Sequence, residues 1–379
     1  AYSRQAFANQ EAKIVSAINA LGADVVALEE IENPVAVGVG SDRDAALARL
    51  VTALNEALGS DVWAYVPSPP TIPAGEDVIR VAFIYKTAAV TPVGDSVIHD
   101  DAAFSGLARQ PLAQEFARRT TERASAPSFV VIANHFKSKG SVPEGAGEGN
   151  TDSGDGQGNA NAIRVAQASS LASFAARYAD KPTLLVGDFN SYSQEDPIKT
   201  IEGAGWQRVS GSGEPSYVYA GRSGSLDHAF ANAAATPLVA GVTSWAVNAQ
   251  ESIAFEYSRA GMNAHLAVEA EGPYRSSDHN PEIIGLRLLE GAPTPGDEPV
   301  PAVTPGPETG TTPTPATSPA PAGPRPHSAT TSAPRVTTRA ATASSRGKIP
   351  ENRASPASAR VLARTGASAE LAIGAGFLL

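Results

Sequence analysis

Three short runs constrain this chain more than anything else in it: DVVAL at 24–28, FVVIAN at 129–134 and TLLVG at 183–187. Each is brief and apolar at nearly every position, the pattern of a strand covered on both faces. Segments with helical spacing separate them. Residues 6–21 place Phe7, Ile14, Ile18 and Leu21 near one stripe, 43–58 place Leu47, Leu50, Leu54 and Leu58 on another, and 160–178 form a third helix. Residues 80–85, 90–93, 225–230 and 283–289 read as further strands. Helices alternating with buried strands predict an α/β or mixed α+β domain. No repeat of fixed period is present, and no window reaches the ~18 consecutive apolar residues of a membrane span.

The pattern stops near residue 290. From Gly291 the chain turns to Pro, Thr, Ala and Ser, and such a stretch cannot bury enough surface to offset the entropy of ordering it. The expected organisation is a folded domain over 1–290, a disordered Pro/Thr/Ala-rich spacer over 291–360 and a terminal segment over 361–379. Residues 291–379 hold eight Lys/Arg and five Asp/Glu, so the overall charge of −10 leaves −13 on the first 290 residues. An acidic domain argues against a passive nucleic-acid binder, whose affinity comes from Lys and Arg on phosphates. It does not argue against an enzyme that meets phosphate through a divalent ion held by carboxylates. The chain has no cysteine, which excludes thiol catalysis, zinc–thiolate sites and a disulfide framework. Export stays open, because a domain of this size is stable without disulfides.

Polar residues gather at the ends of the apolar strands. Glu29, Glu30, Glu32 and Asn33 follow DVVAL, Asn134 and His135 close the second run, and Asp188 and Asn190 follow TLLVG. Asp227 and His228 lie in SLDHAF, while Asp278, His279 and Asn280 precede the last strand. Ligands of layered α/β proteins bind where strand ends and loops converge. Hard oxygen donors and imidazoles suit phosphoester hydrolysis: ligands for Mg²⁺ or Mn²⁺, a group to orient water, and donors for developing charge. Clustered His and Cys for zinc are lacking, as is the GxSxG of a serine hydrolase. Taken singly, these residues also have plain readings. DFN is a strand-end turn, His279 a satisfied surface histidine, Glu30 a solvated charge, and His228 a structural residue. Arg80 and Arg164 read as phosphate contacts or as salt-bridge partners, and Lys137 and Lys139 as contacts to a nucleic-acid backbone or as surface charges. The loop NTDSGDGQG at 150–158 interleaves Asp with Gly. It offers oxygens to Ca²⁺ but lacks the distal bidentate Glu of a complete calcium loop, so a flexible Gly-rich loop is the favoured reading.

The blocks ADVVALEEIEN, RVAFIYK, VIANHFKSKGS, GNANAIRVAQASSLASF, PTLLVGDFNSYSQEDPI, GSLDHAF and SSDHNP follow one another in this order. Together they resemble the endonuclease/exonuclease/phosphatase family, which includes the pancreatic-type deoxyribonuclease, and within it the large extracellular bacterial nucleases. The resemblance covers residues 1–289. It implies a four-layer α/β sandwich, two mixed β-sheets face to face between helix layers, followed here by the disordered tail. It implies Glu30 as the metal-binding glutamate, with Glu29 and Glu32 beside it left open as the ligand, and Asp278 as a second acid on the metal side. Asp188 and Asn190 correspond to the pair that orients the attacking water and holds the phosphate. His135 corresponds to the histidine that contacts the scissile phosphate or protonates the leaving oxygen. His279 corresponds to the catalytic histidine and Asp227 to its orienting carboxylate, a pairing that fixes the tautomer. Arg80, Lys137 and Arg164 are the candidate phosphate-binding cations. Mg²⁺ or Mn²⁺ is the implied cofactor, with Ca²⁺ a further candidate. The family opens on a core strand ending in Asn, of the form ATFNVLNYF, whereas this chain begins at AYSRQAF without an apolar leader. The expectation is therefore of roughly 20–40 upstream residues whose restoration raises activity.

Phrases such as PTPATSPAPAGP predict an extended, polyproline-like spacer. After it, LARTG at 362–366 and the run ASAELAIGAGFLL resemble a sortase sorting signal of the LAxTG kind found in high-GC Gram-positive bacteria. That implies cleavage between Thr365 and Gly366, with Thr365 joined to peptidoglycan; the plain alternative is a disordered tail with a chance pentapeptide. The expectation as a whole is an extracellular, wall-anchored, monomeric nuclease without a transmembrane segment, acting on DNA in preference to RNA. The rivals are a phosphomonoesterase or lipid phosphodiesterase on the same fold, and a wall-displayed binding module without catalysis.

Overall fold

The computed structural model describes residues 3–119, 127–211, 214–257, 272–288 and 370–378. The first half of the chain forms α1 (Arg4–Leu21), β1 (Val25–Glu32), α2 (Pro34–Val37), α3 (Ala45–Leu58), β2 (Trp63–Tyr65), β3 (Ile79–Lys86), β4 (Val90–Ile98), β5 (Arg109–Arg118), β6 (Ser128–His135) and α4 (Asn161–Ala175). The second half adds β7 (Thr183–Asp188), α5 (Asp196–Gly203), β8 (Gln207–Arg208), β9 (Tyr217–Tyr219), β10 (Arg222–Gly224), β11 (Asp227–Ala231), β12 (Val239–Ser244), β13 (Glu282–Arg287) and β14 (Glu370–Leu378). The three long helices and the apolar strands expected from sequence are all present. α1 starts where the Ser3 hydroxyl accepts the Ala6 N–H at 3.0 Å, and stops at Gly22, whose φ of 77° suits a residue without Cβ.

Two six-stranded mixed sheets result. One runs β12–β13–β14–β1–β3–β2 and the other β4–β5–β6–β7–β11–β8, with β9–β10 a separate hairpin. Strand alternation sends side chains to opposite faces, and the core divides accordingly. Val25, Ala27, Phe83, Phe116, Val131, Val186 and Ile284 meet between the sheets. Val26, Leu28 and Ile84 face outward onto Ile18, Leu47 and Leu54 of α1 and α3. Ile132, Leu185 and Phe230 face outward onto Leu171, Phe174 and Ile198 of α4 and α5. The order helix, sheet, sheet, helix is the four-layer sandwich expected, and no helix among the described residues is long and apolar enough to cross a membrane.

The C-terminus departs from the sequence reading. Residues 361–379 were expected outside the domain as a sorting signal; instead β14 lies inside the first sheet, parallel to β1 and antiparallel to β13. The physical reason is pairing: β1 and β13 have no other strand between them, and ELAIGAGFL is apolar enough to run through a covered sheet. Thr365, Gly366 and the spacer at 291–360 lie outside the described residues.

Candidate active site

The site is built as a row. Across the second sheet, Arg109 of β5 is the register partner of His135 in β6, His135 that of Asp188 in β7, and Asp188 that of Asp227 in β11. Directly opposed residues share a face, so four strand-end side chains line up towards the first sheet. All four are at most 8% exposed. Gly187 makes the row possible: a Cβ there would stand 2.1 Å from the Asn134 carbonyl oxygen, and its φ is 125°. Only glycine lets β6 and β7 approach so closely just before Asp188.

Loops lock the row. Asn190, at φ 47°, turns back so that its N–H and Nδ2 donate to the two Asp188 oxygens at 2.6 and 2.8 Å, while Nδ2 also donates to the Phe136 carbonyl at 3.1 Å. His135 Nε2 stands 3.3 Å from Asp188 Oδ2. His279 reaches in from the 272–281 loop and its Nδ1 meets Asp227 Oδ2 at 2.7 Å. That loop is held by two asparagines. Asn280 Oδ1 accepts the N–H groups of Val247, Asn248 and Ala249, and Asn248 Nδ2 donates to the His279 carbonyl at 2.7 Å. The Ser216 hydroxyl accepts the N–H groups of Leu226 and Asp227.

The first sheet contributes the acids. Pairing of β1 with β3 slips between Leu28 and Ile31, and in that bulge Glu30 sits at φ 60°, a conformation bulges and functional sites tolerate. The bulge separates two neighbours. Glu29 is fully buried, has neither carboxylate oxygen hydrogen-bonded, and would lie 2.8 Å from a Cβ on Gly187. Glu30 is half-buried and lies within electrostatic reach of Arg109, Asp278 and His279. Glu32 is exposed at the end of β1. Of the three glutamates, Glu30 is the one whose titration feels both Asp278, itself exposed, and His279.

Burial and crowding perturb the titrating groups. Burial, then Asp227, push Asp188 up to about 7, against His279 and the Asn190 N–H. Burial alone would lower His279, but Asp227, Asp188 and Asp278 outweigh it and bring its pKa to about 9. Burial, then Arg109 and His279, hold His135 well below the ordinary imidazole value, so it is neutral. Burial raises Glu29 strongly, with Asp227 and Asp188 adding to it, and raises Glu30, with Arg109 opposing.

Two of the three candidate phosphate-binding cations are employed elsewhere. Arg80 Nη2 donates to Asp44 Oδ1 at 2.7 Å and to the Arg43 carbonyl at 3.2 Å, under the 43–44 turn. Arg164 is fully buried, with donors on Ser191 Oγ and on the carbonyls of Asn159 and Gln157, so it clamps the glycine-rich loop. In that loop the Asp152 and Asp155 carboxylates accept the N–H groups of Gly154 and Gln157, so the Gly-rich loop expected from sequence is internally braced, with one oxygen of each carboxylate turned onto the chain. Lys137 remains half-buried at the rim, its Nζ on Ser138 and Ser141. His228 is buried, bonds the Ser191 carbonyl at 2.8 Å and is pushed down to about 4 by burial, a structural residue as read from sequence.

The cation at the row is Arg109, which sequence reading passed over. Its Nη2 donates to the Phe136 carbonyl at 3.3 Å, and it faces Asp188, Glu30, Asp77 and Glu29. The available signal was an arginine opening a strand, RQPLAQEF, but two buried glutamines and a proline hid that strand.

The Endonuclease/Exonuclease/phosphatase family description matches residues 2–279, which span the row from Arg109 to Asp227 together with Glu30, Asn190, Asp278 and His279. The chain belongs to that family. Its members are phosphoester hydrolases and generally depend on a divalent metal. No curated protein matches the chain. Similar solved structures include an endonuclease/exonuclease/phosphatase from Bacteroides vulgatus, at 13% identity, covering 74% of this chain and 91% of that one, TM-score 0.45. A mannosyl-6-phosphatase from Bacteroides thetaiotaomicron is 11% identical, with coverages of 72% and 88% and TM-score 0.42. TDP2 of D. rerio, complexed with a single-strand DNA product, is 14% identical, with coverages of 72% and 89% and TM-score 0.42. Likenesses of this degree say nothing about substrate.

The family's metal dependence can be tested against the donor set. Among the described residues no group of three or more His, Asp or Glu closes around a single point. Mg²⁺ does not require one: it is typically held by one or two carboxylates, with waters and substrate phosphate completing the shell. Glu30 and Asp278 offer oxygen donors within electrostatic reach of each other, and burial with Asp278 nearby raises the Glu30 pKa despite Arg109 and His279. The residues fit a hard divalent cation.

Proposed function

We propose that this domain is a Mg²⁺-dependent nuclease that hydrolyses phosphodiester bonds of extracellular nucleic acid, DNA in preference to RNA, and acts as a monomer. The observation that carries this reading is the His279–Asp227 pair standing beside Asp188 at the end of one strand row. Glu30 and Asp278 are the residues that would hold the ion, whose chemistry is to neutralise charge on the phosphate oxygens.

The chain's own groups divide the remaining work. Asp188, with a pKa of about 7, is poised near neutral pH to take a proton from water, and Asn190 fixes the carboxylate's direction. The water oxygen attacks phosphorus in line as the bond to the leaving oxygen breaks, and that oxygen is protonated from solvent while Asp188 returns its proton to solvent. His279, cationic because Asp227 stabilises its proton, binds the phosphate oxygens and stabilises the charge that develops there. Neutral His135 and Arg109 border the same phosphate, and Lys137 at the rim meets the neighbouring backbone.

For localisation, we propose export and wall anchoring through LARTG at 362–366, carried by the proline-rich spacer. On this reading, cutting between Thr365 and Gly366 would sever β14 from the domain's chain and leave it held by strand pairing alone.

Incubating the full chain with plasmid DNA, RNA, sphingomyelin and a phosphomonoester, with Mg²⁺ and with EDTA, tests the substrate class. The nuclease reading expects metal-dependent nicking of DNA ahead of the other three. Turnover confined to sphingomyelin or to the monoester would overturn it.

A further inference from the structure

An aromatic ladder leads out of the site on the β9–β10 hairpin. The Tyr217 ring lies 4.5 Å from that of His279, tilted by 35°, and the backbones of the two residues form an isolated bridge. Tyr219, two residues on and so on the same face of the strand, has its ring nearly parallel to that of Tyr217, 8° apart in plane with centroids 6.3 Å apart. Tyr219 is 68% exposed, so most of this large ring is open to solvent. Opposite Tyr217 on β10 stands Gly224, where a Cβ would come within 2.7 Å of the Tyr192 ring. The missing side chain thus admits Tyr192 alongside Tyr217. Lys139 Nζ lies 4.4 Å over Tyr192, and exposed Arg222 is the register partner of Tyr219. The result is a run of rings from solvent to the imidazole at the reacting centre.

Electrostatics say what such a surface is for. The first 290 residues carry −13, a balance that weakens any grip on polynucleotide by phosphate neutralisation. Two of the arginines nearest in sequence to the site motifs, Arg80 and Arg164, have their donors committed inside the fold. Contacts indifferent to the backbone charge add to the few that Arg109, His279 and Lys137 offer to phosphate, and base–aromatic stacking is such a contact.

We infer that Tyr219 and Tyr217 form a stacking platform for the nucleobase beside the scissile phosphodiester, so that the enzyme grips unpaired or frayed nucleic acid by its bases; the inference rests on the nuclease reading above. Tyr219 is the outer step and a binding residue. Tyr217 joins that step to His279 and also positions the imidazole.

The test is binding of a fluorescein-labelled oligothymidylate to the full chain in EDTA, read by fluorescence anisotropy, with cleavage of the same oligonucleotide in Mg²⁺ followed in parallel. Tyr219→Leu should weaken binding roughly 10-fold, with the slope of affinity against salt unchanged because no phosphate contact is lost. Tyr219→Phe, which keeps the ring, should bind as the wild type does. Wild-type binding should also fall by a similar factor on an oligonucleotide of abasic sites, and the two losses should not add. Unchanged binding by Tyr219→Leu, or an equal loss in Tyr219→Phe, overturns the platform while cleavage by the wild type keeps the nuclease reading. Ring-dependent binding without any cleavage keeps the platform and overturns the nuclease reading. Neither binding nor cleavage overturns both.

Discussion

His279 Nδ1 stands 2.7 Å from Asp227 Oδ2 with both side chains almost wholly buried. Burial disfavours the imidazolium, and the carboxylate restores it, bringing the pKa to about 9. The Asp227→Asn variant keeps the burial and removes the charge, so the His279 pKa, followed by NMR titration in EDTA, should fall well below 9. Because the folded value lies above the ordinary 6.5, the proton's contribution to stability is complete below 6.5 and is lost as pH rises through about 9. Turnover should drop by about 10²–10⁴-fold. A pKa that stays near 9 would show that Asp227 is not what holds the proton.

Asp188 should make cation binding at this site a function of pH. Its folded pKa of about 7 exceeds the ordinary 3.8. Between those values the folded chain binds the additional proton, and stability falls as pH rises through that window. A cation held by neighbouring carboxylates competes with such protons and relieves the crowding once they are gone. Mg²⁺ should therefore raise Tm more at pH 8 than at pH 5.5, and EDTA should erase the difference. Equal shifts at both pH values would count against a cation beside Asp188 and Glu30.

Gly187 is the tightest steric point of the row. Gly187→Ala puts a Cβ against the Asn134 carbonyl oxygen at a φ of 125°. The expected cost is about 3 kcal/mol or more, a fall in Tm on the order of 10 °C. A variant melting within a degree or two of wild type would mean that β6 and β7 are not so close.

What sequence could reveal of this site depended on whether the signal was local. His135, Asp188 and Asp227 were legible because each ends or opens an apolar run, and strand ends are where a layered fold collects its ligands. Direction was not legible. Arg80 and Arg164 sit as near to the motifs as Arg109 does, yet Asp44 takes the first and backbone carbonyls take much of the second. Glu29 and Glu30 were inseparable until the bulge sent one inward and left the other within electrostatic reach of Asp278. β14 was hidden for a different reason: its partners, β1 and β13, lie hundreds of residues and dozens of residues away in the chain, and a nine-residue apolar run carries no sign of which strands it will join.

That strand yields its own expectation. Without residues 370–379, β1 and β13 face each other across an unfilled position in the middle of the first sheet. Two central ladders are lost at once, so Tm should fall on the order of 10 °C or more, and a peptide of sequence ELAIGAGFL added in trans should recover part of it. A truncated chain as stable as the full one would mean that the sheet closes without this strand.

If a phosphoester is hydrolysed at the row from Arg109 to Asp227, beside His279 and Glu30, turnover depends on Asp188. Turnover of bis(p-nitrophenyl) phosphate by Asp188→Ala, compared with the unmodified chain in Mg²⁺ and with circular dichroism as the check on folding, tests it most directly. A loss of at least about 10³-fold at unchanged fold is the predicted result. A folded variant turning over at a near-wild-type rate would contradict it.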